Sequence, residues 1–562
     1  MQHNSKKSPG ILDSMISLIS GEPLSLKIHT PSKGELRAVT EDGSFGITQP
    51  SELFSKIFVN IKKSGDHDSS NCPPKPIVGA LGRVPLTIIS TVPDIADHYY
   101  NLIVEAKFEI LIFSNFWKNS YAAKRIGEGL KILSERIGQN NRSPVIVRIM
   151  FDRGSVKHVF QSRVAVAEAE WVTLGLPSTK DAPYVDLEVI NYHNLPIGTF
   201  HSKFMVIDKR IAVLNSCNIQ DNSNLEMMCQ FEGPVVDGVW DHAVSTWGFS
   251  ISPKDSSENR SRSNSFPGLD ALEASTMRPS LFNDPPPKRT IKDITQVLNR
   301  SVSNPLQTDA INDVTLNVPF RSHLRLNTSD IAMVLAPRAP YPSFGNVSLN
   351  TPQNAAWLSA IYFAKSKVFI QTPDLNAAPV ITALLEAVKR GVEVSIVLCL
   401  GYNDLGEMLP TQGGHNEWVV GHMIKQLNEE ERMRLKIYWY VGRDMMKPVH
   451  AAKHFRTCHI KLMIVDERIG IQGSGNQDTQ SWFHSQEINI VIDSEEVCKQ
   501  WMEQLVANQN SLLFGQGSEV DGIWRDSQGN QGALFSDLAI IELNPSHIYP
   551  KLPLKSSSVV FT

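Results

Sequence analysis

Short apolar runs alternate with longer amphipathic stretches over much of the chain. In the first half, this pattern predicts strands at residues 86–91, 108–113 and 145–151, with helices between them at 93–106 and 121–137. Strands that alternate with helices need crossover connections. The pattern therefore predicts an α/β fold in which a largely parallel or mixed sheet has helices on both faces.

The second half repeats this order. It predicts helix, strand, helix and strand in turn, at residues 357–365, 368–372, 378–390 and 392–400. An Ala-Lys pair that begins at Ala106 recurs at Ala364, an offset of 258 (364 − 106 = 258). An internal repeat of this length indicates a duplicated domain. We therefore expect two homologous α/β/α lobes with mixed sheets, packed about a pseudo-two-fold axis.

The segments around the lobes have another character. We expect an N-terminal extension, a first lobe, a polar linker rich in Pro and Ser, a second lobe and a C-terminal tail, at residues 1–80, 81–252, 253–328, 329–515 and 516–562. The linker carries a low-complexity run and a Pro cluster, and it is too long for an ordinary connection. It is therefore either disordered or draped over the surface as a functional loop.

The composition is that of a soluble globular protein, since 41% of the 562 residues are hydrophobic and 20% are charged. A net charge of −4 argues against a protein that coats nucleic acid, so we expect no nucleic-acid partner, although a local basic groove is compatible with it. The cysteines have no CxxC spacing, which indicates free thiols in a reducing compartment. They lie at positions 72, 217, 229, 399, 458 and 498.

Neither a signal peptide nor a membrane span is predicted. The N-terminal stretch is too polar for a secretory signal, and no run of about 18 apolar residues occurs. We therefore expect a cytoplasmic protein that can contact an intracellular membrane peripherally.

One stretch occurs twice in the chain. HSKFMVID begins at His201 and HIKLMIVD begins at His459, again 258 positions apart (459 − 201 = 258). In each copy, a Lys follows two residues after the His, four apolar residues predict a buried strand, and an Asp closes the run. Since side chains alternate along a strand, His201 and Lys203 should share one face, as should His459 and Lys461.

A small polar cluster follows each copy, NSCN at 215–218 and GSGN at 473–476. Together with the repeated run, it resembles the signature of the phospholipase D superfamily, H-x-K-x4-D followed by G-S/G-x-N. The second copy fits fully, whereas the first has Asn215 where the pattern has Gly. The resemblance covers both halves and implies two phospholipase D-like lobes whose motifs close one active site. It implies a catalytic set of His201, Lys203, Asp208, His459, Lys461 and Asp466.

The chemistry of these side chains suits phosphodiester cleavage through a covalent intermediate. Such a reaction needs a nucleophile, an acid for the leaving oxygen and positive donors around the phosphate. The resemblance implies that His201 attacks phosphorus and that His459 protonates the leaving alcohol, although the residues themselves are symmetric. The lysines supply positive charge. The phosphate-binding candidates beside them are Asn218, Asn476, Ser216 and Ser474.

The acidic residues have other expected roles. Asp208 and Asp466 lie seven positions after their histidines, so alternation aims them at the opposite face, where they anchor the end of the strand. In the resembling family, a later acidic residue accepts a hydrogen bond from the other ring nitrogen of the histidine. Glu226 and Glu487 lie 25 and 28 positions after the motif histidines (226 − 201 = 25; 487 − 459 = 28) and are the histidine-orienting candidates. The alternative is a solvated glutamate at the end of a strand.

A metal site is the first alternative for a cluster of His and Asp. A lysine ammonium on the same face as each histidine would repel a cation, and no His-x3-His motif or carboxylate triad accompanies the pair. We therefore expect metal-independent chemistry, with no metal and no cofactor.

Two further features each allow two interpretations. The loop before the second motif carries Lys447, His450, Lys453, His454 and Arg456. This loop either binds an anionic head group or nucleic-acid backbone, or it is a solvated basic loop. Phe116 and Trp117 either line a substrate mouth or pack in the core.

The sequence therefore predicts a phosphodiesterase similar to phospholipase D that acts on a phospholipid, by hydrolysis or phosphatidyl transfer through a phosphohistidine. Its expected partners are the phospholipid, a membrane surface contacted transiently, and water or an acceptor alcohol, with the protein itself a monomer. A nuclease or another non-lipid phosphodiesterase of the same superfamily is the alternative enzyme. A catalytically silent binding or scaffold protein is the alternative from another class, and two complete His-Lys pairs argue against it.

Overall fold

The computed structural model describes residues 28–42, 45–65, 79–140, 142–248, 290–300, 302, 319–327, 329–408, 412–454 and 456–531. Three of the predicted segments fall partly elsewhere. Residues 1–27 and 66–78 of the N-terminal extension, 253–289 and 303–318 of the linker, and the tail from 532 onward lie outside the described residues.

In the first half, the strands follow the apolar runs of the sequence. They are β1 (Ala80–Ser90), β2 (Glu109–Ser114), β3 (Val145–Phe151), β4 (Arg163–Ala165), β5 (Val185–Tyr192), β6 (Phe204–Ile207), β7 (Ile211–Asn215) and β8 (Glu226–Glu232). The helices are α1 (Lys33–Asp42), α2 (Glu52–Gly65), α3 (Val92–Glu105), α4 (Tyr121–Gln139), α5 (Glu168–Trp171) and α6 (Val235–Trp247). The three predicted strands and two predicted helices of this half are confirmed, and β1 begins earlier than predicted.

The second half again alternates helices and strands. Its strands are β9 (His323–Arg325), β10 (Ile331–Leu335), β11 (Lys367–Gln371), β12 (Glu393–Leu398), β13 (Leu435–Trp439), β14 (Leu462–Val465), β15 (Ile469–Gly473) and β16 (Asn489–Asp493). Its helices are α7 (Ile291–Leu298), α8 (Pro352–Phe363), α9 (Ala378–Lys389), α10 (Asp404–Glu407), α11 (Asn416–Lys425), α12 (Glu429–Arg432), α13 (Thr479–Phe483), α14 (Glu495–Asn508) and α15 (Ser511–Phe514). The four elements predicted here are confirmed.

Local chemistry explains where two of the helices begin. Ser120 and Thr351 precede α4 and α8, and their hydroxyls accept hydrogen bonds from the amides of Ala123 and Asn354. Such caps satisfy amide groups that have no partner inside the helix. Helix α8 also has Pro352 in its first turn, where the missing amide is no loss. The cap and the proline together start α8 before residue 357, the predicted start.

The strands form one mixed sheet that runs through both halves. Its order from edge to edge is β13-β12-β11-β14-β15-β16-β10-β1-β8-β7-β6-β2-β3-β5-β4, with β9 paired to β1. Antiparallel pairing of β1 with β10 joins the halves, and Ala80 lies opposite Met333. The predicted α/β class with a mixed sheet is therefore confirmed.

The two halves have the same strand pairings. Strand β2 pairs in parallel with β3 and antiparallel with β6, as β11 does with β12 and β14. Strands β6, β7 and β8 form an antiparallel series, and so do β14, β15 and β16. The repeated sequence thus folds into repeated pairings, while the pseudo-two-fold axis stays a prediction.

Each motif strand is buried on both faces. On one face, Phe204 and Val206 of β6 share a buried layer with Leu462 and Ile464 of β14. On the other face, the alternate residues belong to a separate core in each half, for example Met205 in the first. This double burial explains why both motif runs are continuously apolar, as is typical of interior strands.

Helices α1 and α2 lie in the predicted N-terminal extension, for which the sequence pattern predicted no element. Phe54, Ile57 and Phe58 of α2 are fully buried and belong to the same core as Trp357 and Ile361 of α8 in the second half. Their spacing of three and four residues is that of an amphipathic helix. The described part of the extension is therefore a packed element of the second half.

The described part of the predicted linker also packs on the body of the protein. Strand β9 pairs with β1, and the Thr91 hydroxyl donates to the carbonyl of Val297 in α7 (3.3 Å). Of the two alternatives for the linker, draping over the surface agrees with these contacts. None of the described helices is both long and apolar enough to cross a bilayer.

Candidate active site

Backbone hydrogen bonds bring the two motif copies together. The amide of His201 donates to the carbonyl of Gln486 (3.0 Å), and the amide of His459 donates to the carbonyl of Leu225 (2.8 Å). In return, the amides of Gln486 and Leu225 donate to carbonyls two residues before each histidine (2.8 and 2.9 Å). Each motif therefore lies beside a segment of the other half. The segment beside His201 leads to Glu487, and the segment beside His459 leads to Glu226.

The glutamates contact the histidines in a crossed arrangement. His201 Nδ1 lies 2.7 Å from Glu487 Oε1, and His459 Nδ1 lies 3.1 Å from Glu226 Oε2. The sequence-based expectation that each glutamate serves the histidine of its own copy is wrong, because the backbone pairing places each glutamate segment beside the other motif. Within the described residues, neither Nε2 accepts or donates a hydrogen bond, so both reactive nitrogens are available.

The motif serines lie behind the glutamates. Ser216 Oγ donates to Glu226 Oε2 (2.5 Å), and Ser474 Oγ donates to Glu487 Oε2 (2.5 Å). Both serines are fully buried. Because a hydroxyl has one proton to donate, this geometry differs from the expected phosphate-binding role and makes the serines supports of the carboxylates.

The two histidine–glutamate pairs are not identical. Ser481 Oγ donates to Glu487 Oε1 (2.7 Å), so Glu487 accepts from two hydroxyls as well as the imidazole. Glu226 Oε1 is buried and has no hydrogen-bond partner in the described part of the chain. Ser481 belongs to α13, which lies in the stretch where the second copy is three residues longer than the first. Because fewer hydroxyls donate to Glu226, we infer that its carboxylate stabilises a positive charge on the His459 ring more strongly than Glu487 does on the His201 ring.

The two motif lysines are buried beside the histidines. Lys203 Nζ donates to the carbonyl of His201 (2.5 Å), and Lys461 Nζ donates to the carbonyl of His459 (2.7 Å). Burial lowers the pKa of Lys203 to about 7 and that of Lys461 to about 8, partly offset by the glutamates. Near neutral pH, a fraction of the two lysine side chains is therefore deprotonated when no anion is bound.

Burial also shifts the histidines and glutamates. It lowers the pKa of His201 to about 4 and lowers the pKa of His459, while the glutamates act in the opposite direction. Burial alone would raise the pKa of Glu226 and of Glu487. The partner histidine, through its charge and its hydrogen bond, and the nearby lysine act in the opposite direction, so the pKa of each glutamate is lowered overall. The resting site therefore holds ionised glutamates against a neutral His201.

The motif asparagines have unused acceptors. Oδ1 of Asn218 and Oδ1 of Asn476 are buried without a hydrogen-bond partner among the described residues. The Asn476 amide nitrogen donates to Asp478 Oδ2 (2.8 Å), so this amide is oriented by the loop that follows it. Their phosphate-binding role stays a prediction.

The motif aspartates lie away from the histidines, as alternation predicts. Asp208 accepts the amides of Lys107, Phe108 and Glu109 (2.7–3.0 Å). Asp466 does the same at the corresponding place in the second half. Both therefore anchor the turn after the motif strand. This position differs from the catalytic role that the resemblance implies for Asp208 and Asp466.

Two features outside the motifs are now placed. Arg456 is buried in an ion pair with Asp444 (2.6 Å), and His450 is buried, with Nε2 3.5 Å from Asp404 Oδ2. These two members of the predicted basic loop face the interior and do not form an anion-binding surface. Trp117 is buried and donates its indole N–H to a backbone carbonyl (2.9 Å), which agrees with core packing.

The structure also contains carboxylate clusters that the sequence did not reveal. Asp374, Glu407 and Asp478 offer ligand atoms within 4.8 Å of one another, and so does a second group of Asp404, Glu417 and His450. The expectation that no carboxylate triad accompanies the motifs is therefore wrong. The members of the first group are 104 positions apart at most (478 − 374 = 104), and no local motif marks them. The five described cysteines are free, as expected.

Among solved structures, the chain is similar to several of low sequence identity. Phosphatidylserine synthase of Haemophilus influenzae Rd KW20 is 12% identical, with 80% of this chain and 91% of that chain covered and a TM-score of 0.45. The phospholipase D family member Nuc of Salmonella typhimurium is 16% identical, with 33% and 95% covered and a TM-score of 0.23. Polyphosphate kinase of Porphyromonas gingivalis is 10% identical, with 78% and 48% covered and a TM-score of 0.39. Among curated proteins, none matches this sequence.

The sequence itself matches a family model. Residues 358–507 match the model described as the phospholipase D-like domain of cardiolipin synthase. The matched stretch contains the complete second motif, from His459 to Asp466, and the following GSGN cluster. The first half repeats the motif and the strand pairings around it. Residues 358–507 of this chain are therefore a phospholipase D-like domain.

Proposed function

We propose that this protein cleaves a phospholipid phosphodiester through a phosphohistidine and passes the phosphatidyl group to water or to an acceptor alcohol. The crossed pairs carry the proposal. Glu487 is hydrogen-bonded to His201 and Glu226 to His459, so each histidine depends on residues of both halves. The Nε2 atom of each histidine has no hydrogen-bond partner among the described residues. A phosphodiester bound between these two histidines contacts a nucleophile and an acid at the same time.

The first step forms a nitrogen–phosphorus bond. The Nε2 lone pair of His201 attacks phosphorus, and the bond from phosphorus to the leaving alcohol breaks. The leaving oxygen keeps that electron pair and takes the proton of His459 Nε2. In the second step, neutral His459 takes a proton from water or an acceptor alcohol, whose oxygen attacks phosphorus and releases His201.

The charges of the site suit these roles. The lowered pKa of His201 keeps this ring neutral, as a nucleophile must be. His459 must be protonated to act as an acid. The negative charge of Glu226 acts to raise the pKa of His459, and the negative phosphodiester acts in the same direction. The phosphodiester also favours the charged forms of Lys203 and Lys461, which then hold its non-bridging oxygens. No metal at phosphorus is needed for these steps.

A lipid substrate follows from the description of the matched family model, which names cardiolipin synthase. Such a substrate lies in a bilayer, so we expect transient contact with a membrane surface. Because one chain supplies both motifs, no second copy is needed to complete the site, and a monomer is sufficient.

The decisive experiment is a substrate panel of phospholipid vesicles, single-stranded DNA and bis(p-nitrophenyl) phosphate, each with and without EDTA. We expect turnover of the phospholipid in EDTA, and a phosphatidyl alcohol when a primary alcohol is added. Cleavage of DNA alone would instead assign a nuclease, and silence on all three substrates would favour the scaffold protein.

The variants His201→Ala and His459→Ala test the assigned steps. Each should remove nearly all phospholipid turnover, because the two histidines act as one unit. With bis(p-nitrophenyl) phosphate, whose leaving group needs no acid, His459→Ala should still accumulate a covalent phosphoenzyme. An adduct on His459 that survives His201→Ala would reverse the roles.

A further inference from the structure

A buried cluster of three carboxylates lies next to the second motif, on three different segments. Asp374 follows β11, Glu407 ends α10, and Asp478 precedes α13. Their ligand atoms lie within 4.8 Å of one another, and their exposed fractions are 2%, 4% and 4%. Like charges so close in the interior repel strongly unless a proton or a cation lies between them.

Asp374 stands out within this cluster. Its Oδ1 atom is wholly buried and has no hydrogen-bond partner in the part of the chain that the structure describes. A buried carboxylate oxygen without a donor, aimed at two other carboxylates, is the arrangement expected of a cation ligand.

The other two carboxylates are held in place by single donors. Glu407 accepts from the side-chain amides of Asn403 (2.9 Å) and Asn376, one at each oxygen. Asp478 accepts the amide of Ser481 at Oδ1 (2.6 Å) and the Asn476 side chain at Oδ2 (2.8 Å). Since each carboxylate oxygen has two lone pairs, one remains on every oxygen for a ligand.

Among the described residues of the first half, this cluster has no counterpart. At the offset of 258, Phe116 stands where the second half has Asp374, and Gln220 stands where it has Asp478 (374 − 116 = 258; 478 − 220 = 258). The loops themselves correspond, because Ser114 Oγ donates to the Phe116 carbonyl (3.0 Å) as Thr372 Oγ donates to that of Asp374 (2.9 Å). The carboxylates are therefore particular to the second half and not required by the shared fold.

We propose that Asp374, Glu407 and Asp478 bind one Ca²⁺ ion. The donor set consists of oxygen atoms only, which excludes a preference for soft metals. Three carboxylates on three separate segments suit Ca²⁺, which takes six to eight oxygens in variable geometry, better than Mg²⁺, which keeps several of its waters. The ion goes beyond the proposed reaction, which has no metal at phosphorus.

Such an ion would fix the loop that supports the first catalytic pair. Asp478 holds the amide nitrogen of Asn476 and caps α13, and Ser481 of that helix donates to Glu487, the partner of His201. Ca²⁺ would thus act as a positioning group for this loop.

The test is calorimetric titration of the full chain with CaCl₂ and, separately, MgCl₂, after treatment with EDTA. We expect one Ca²⁺ per chain, bound more tightly than Mg²⁺, and an affinity at least about ten-fold lower in Asp374→Asn. Asp404→Asn is the matched control, because it removes a buried carboxylate of the neighbouring group of Asp404, Glu417 and His450 and leaves the cluster intact, so it should bind Ca²⁺ as the wild type does. Loss of Ca²⁺ binding in Asp404→Asn but not in Asp374→Asn would assign the ion to that neighbouring group and overturn the proposal.

Thermal unfolding gives a second measurement that does not depend on activity. Ca²⁺ should raise the melting temperature of the wild type and of Asp404→Asn, but not that of Asp374→Asn. If Asp374→Asn does not fold, the wild-type titration and Glu407→Gln decide. No Ca²⁺ binding at millimolar concentration, or equal binding by Asp374→Asn, overturns the site. Failure to form a phosphohistidine would overturn only the proposed function.

Discussion

Two buried lysines set the charge of the site before substrate arrives, and their titration should be visible in the kinetics. The value of kcat/KM reports groups of the free enzyme. His201 has a pKa of about 4 and Lys203 of about 7. We expect kcat/KM to rise as His201 loses its proton near pH 4 and to fall as Lys203 loses its proton near pH 7. A pH–rate profile with bis(p-nitrophenyl) phosphate measures both limbs, because its leaving group needs no acid and the titration of His459 does not limit the rate.

Lys203→Arg is the control for the basic limb. Arginine stays charged throughout this range, so the limb that remains should belong to Lys461 and lie near pH 8, even if the maximum rate is lower. A basic limb that stays near pH 7 in this variant would show that another group controls it.

Asp466 contributes to stability and not to chemistry. Its carboxylate accepts the amides of Lys365, Ser366 and Lys367 (2.8–2.9 Å), and it lies in a turn with positive φ (50°). Asp466→Ala should lower the free energy of unfolding by about 1–3 kcal/mol, because amides lose their acceptor. The kcat of the folded variant should stay close to wild type. Denaturant titration and kinetics check both, with the exposed neighbour Glu467→Ala as the control.

Helix α2 gives the second half part of its core. Phe54→Ala should lower the free energy of unfolding by about 3–5 kcal/mol, because the phenyl ring is fully buried. Ile47→Ala is the matched control, since Ile47 lies on the same N-terminal segment and is fully exposed (102%). Denaturant unfolding of both variants is the measurement. Equal stability of the two would mean that α2 is not part of the cooperative core.

Periodicity predicted elements within the two repeated halves but missed α1 and α2. The predicted strands were found because interior strands such as β6 are apolar along their whole length. The signal for α2 was present as well, since Phe54, Ile57, Phe58 and Ile61 follow helical spacing. What the sequence could not indicate was the partner, since α8 lies about 300 positions further on and nothing local identifies it.

The same limit applies to the active site as a whole. The His-Lys pairs could be found from the sequence because they lie within one short motif, and Glu226 and Glu487 because their offsets nearly match. The crossing could not be predicted, because chain distance alone favours the histidine of the same copy. It follows from tertiary pairing, in which Leu225 and Gln486, the residues just before the two glutamates, each lie beside the other motif. The carboxylate cluster was hidden for the same reason.

The crossing makes a prediction that separates the two glutamates by the step that each one supports. Glu226 bonds His459, the proposed acid, so Glu226→Gln should weaken protonation of the leaving group. Phospholipid turnover should fall by about 100-fold, whereas bis(p-nitrophenyl) phosphate, whose leaving group departs unprotonated, should lose less than about 10-fold in the first step. Glu487 bonds His201, the proposed nucleophile, so Glu487→Gln should slow phosphoenzyme formation with both substrates alike.

Rapid-quench measurement of phosphoenzyme formation checks the pattern with each variant and each substrate. The shift of the pH–rate profile adds a readout that a purely structural defect would not produce, because loss of the carboxylate charge lowers the pKa of the bonded imidazole. If the glutamates served the histidines of their own copies, the pattern would be reversed. Glu487→Gln would then be the variant rescued by the good leaving group, and Glu226→Gln would fail with both substrates.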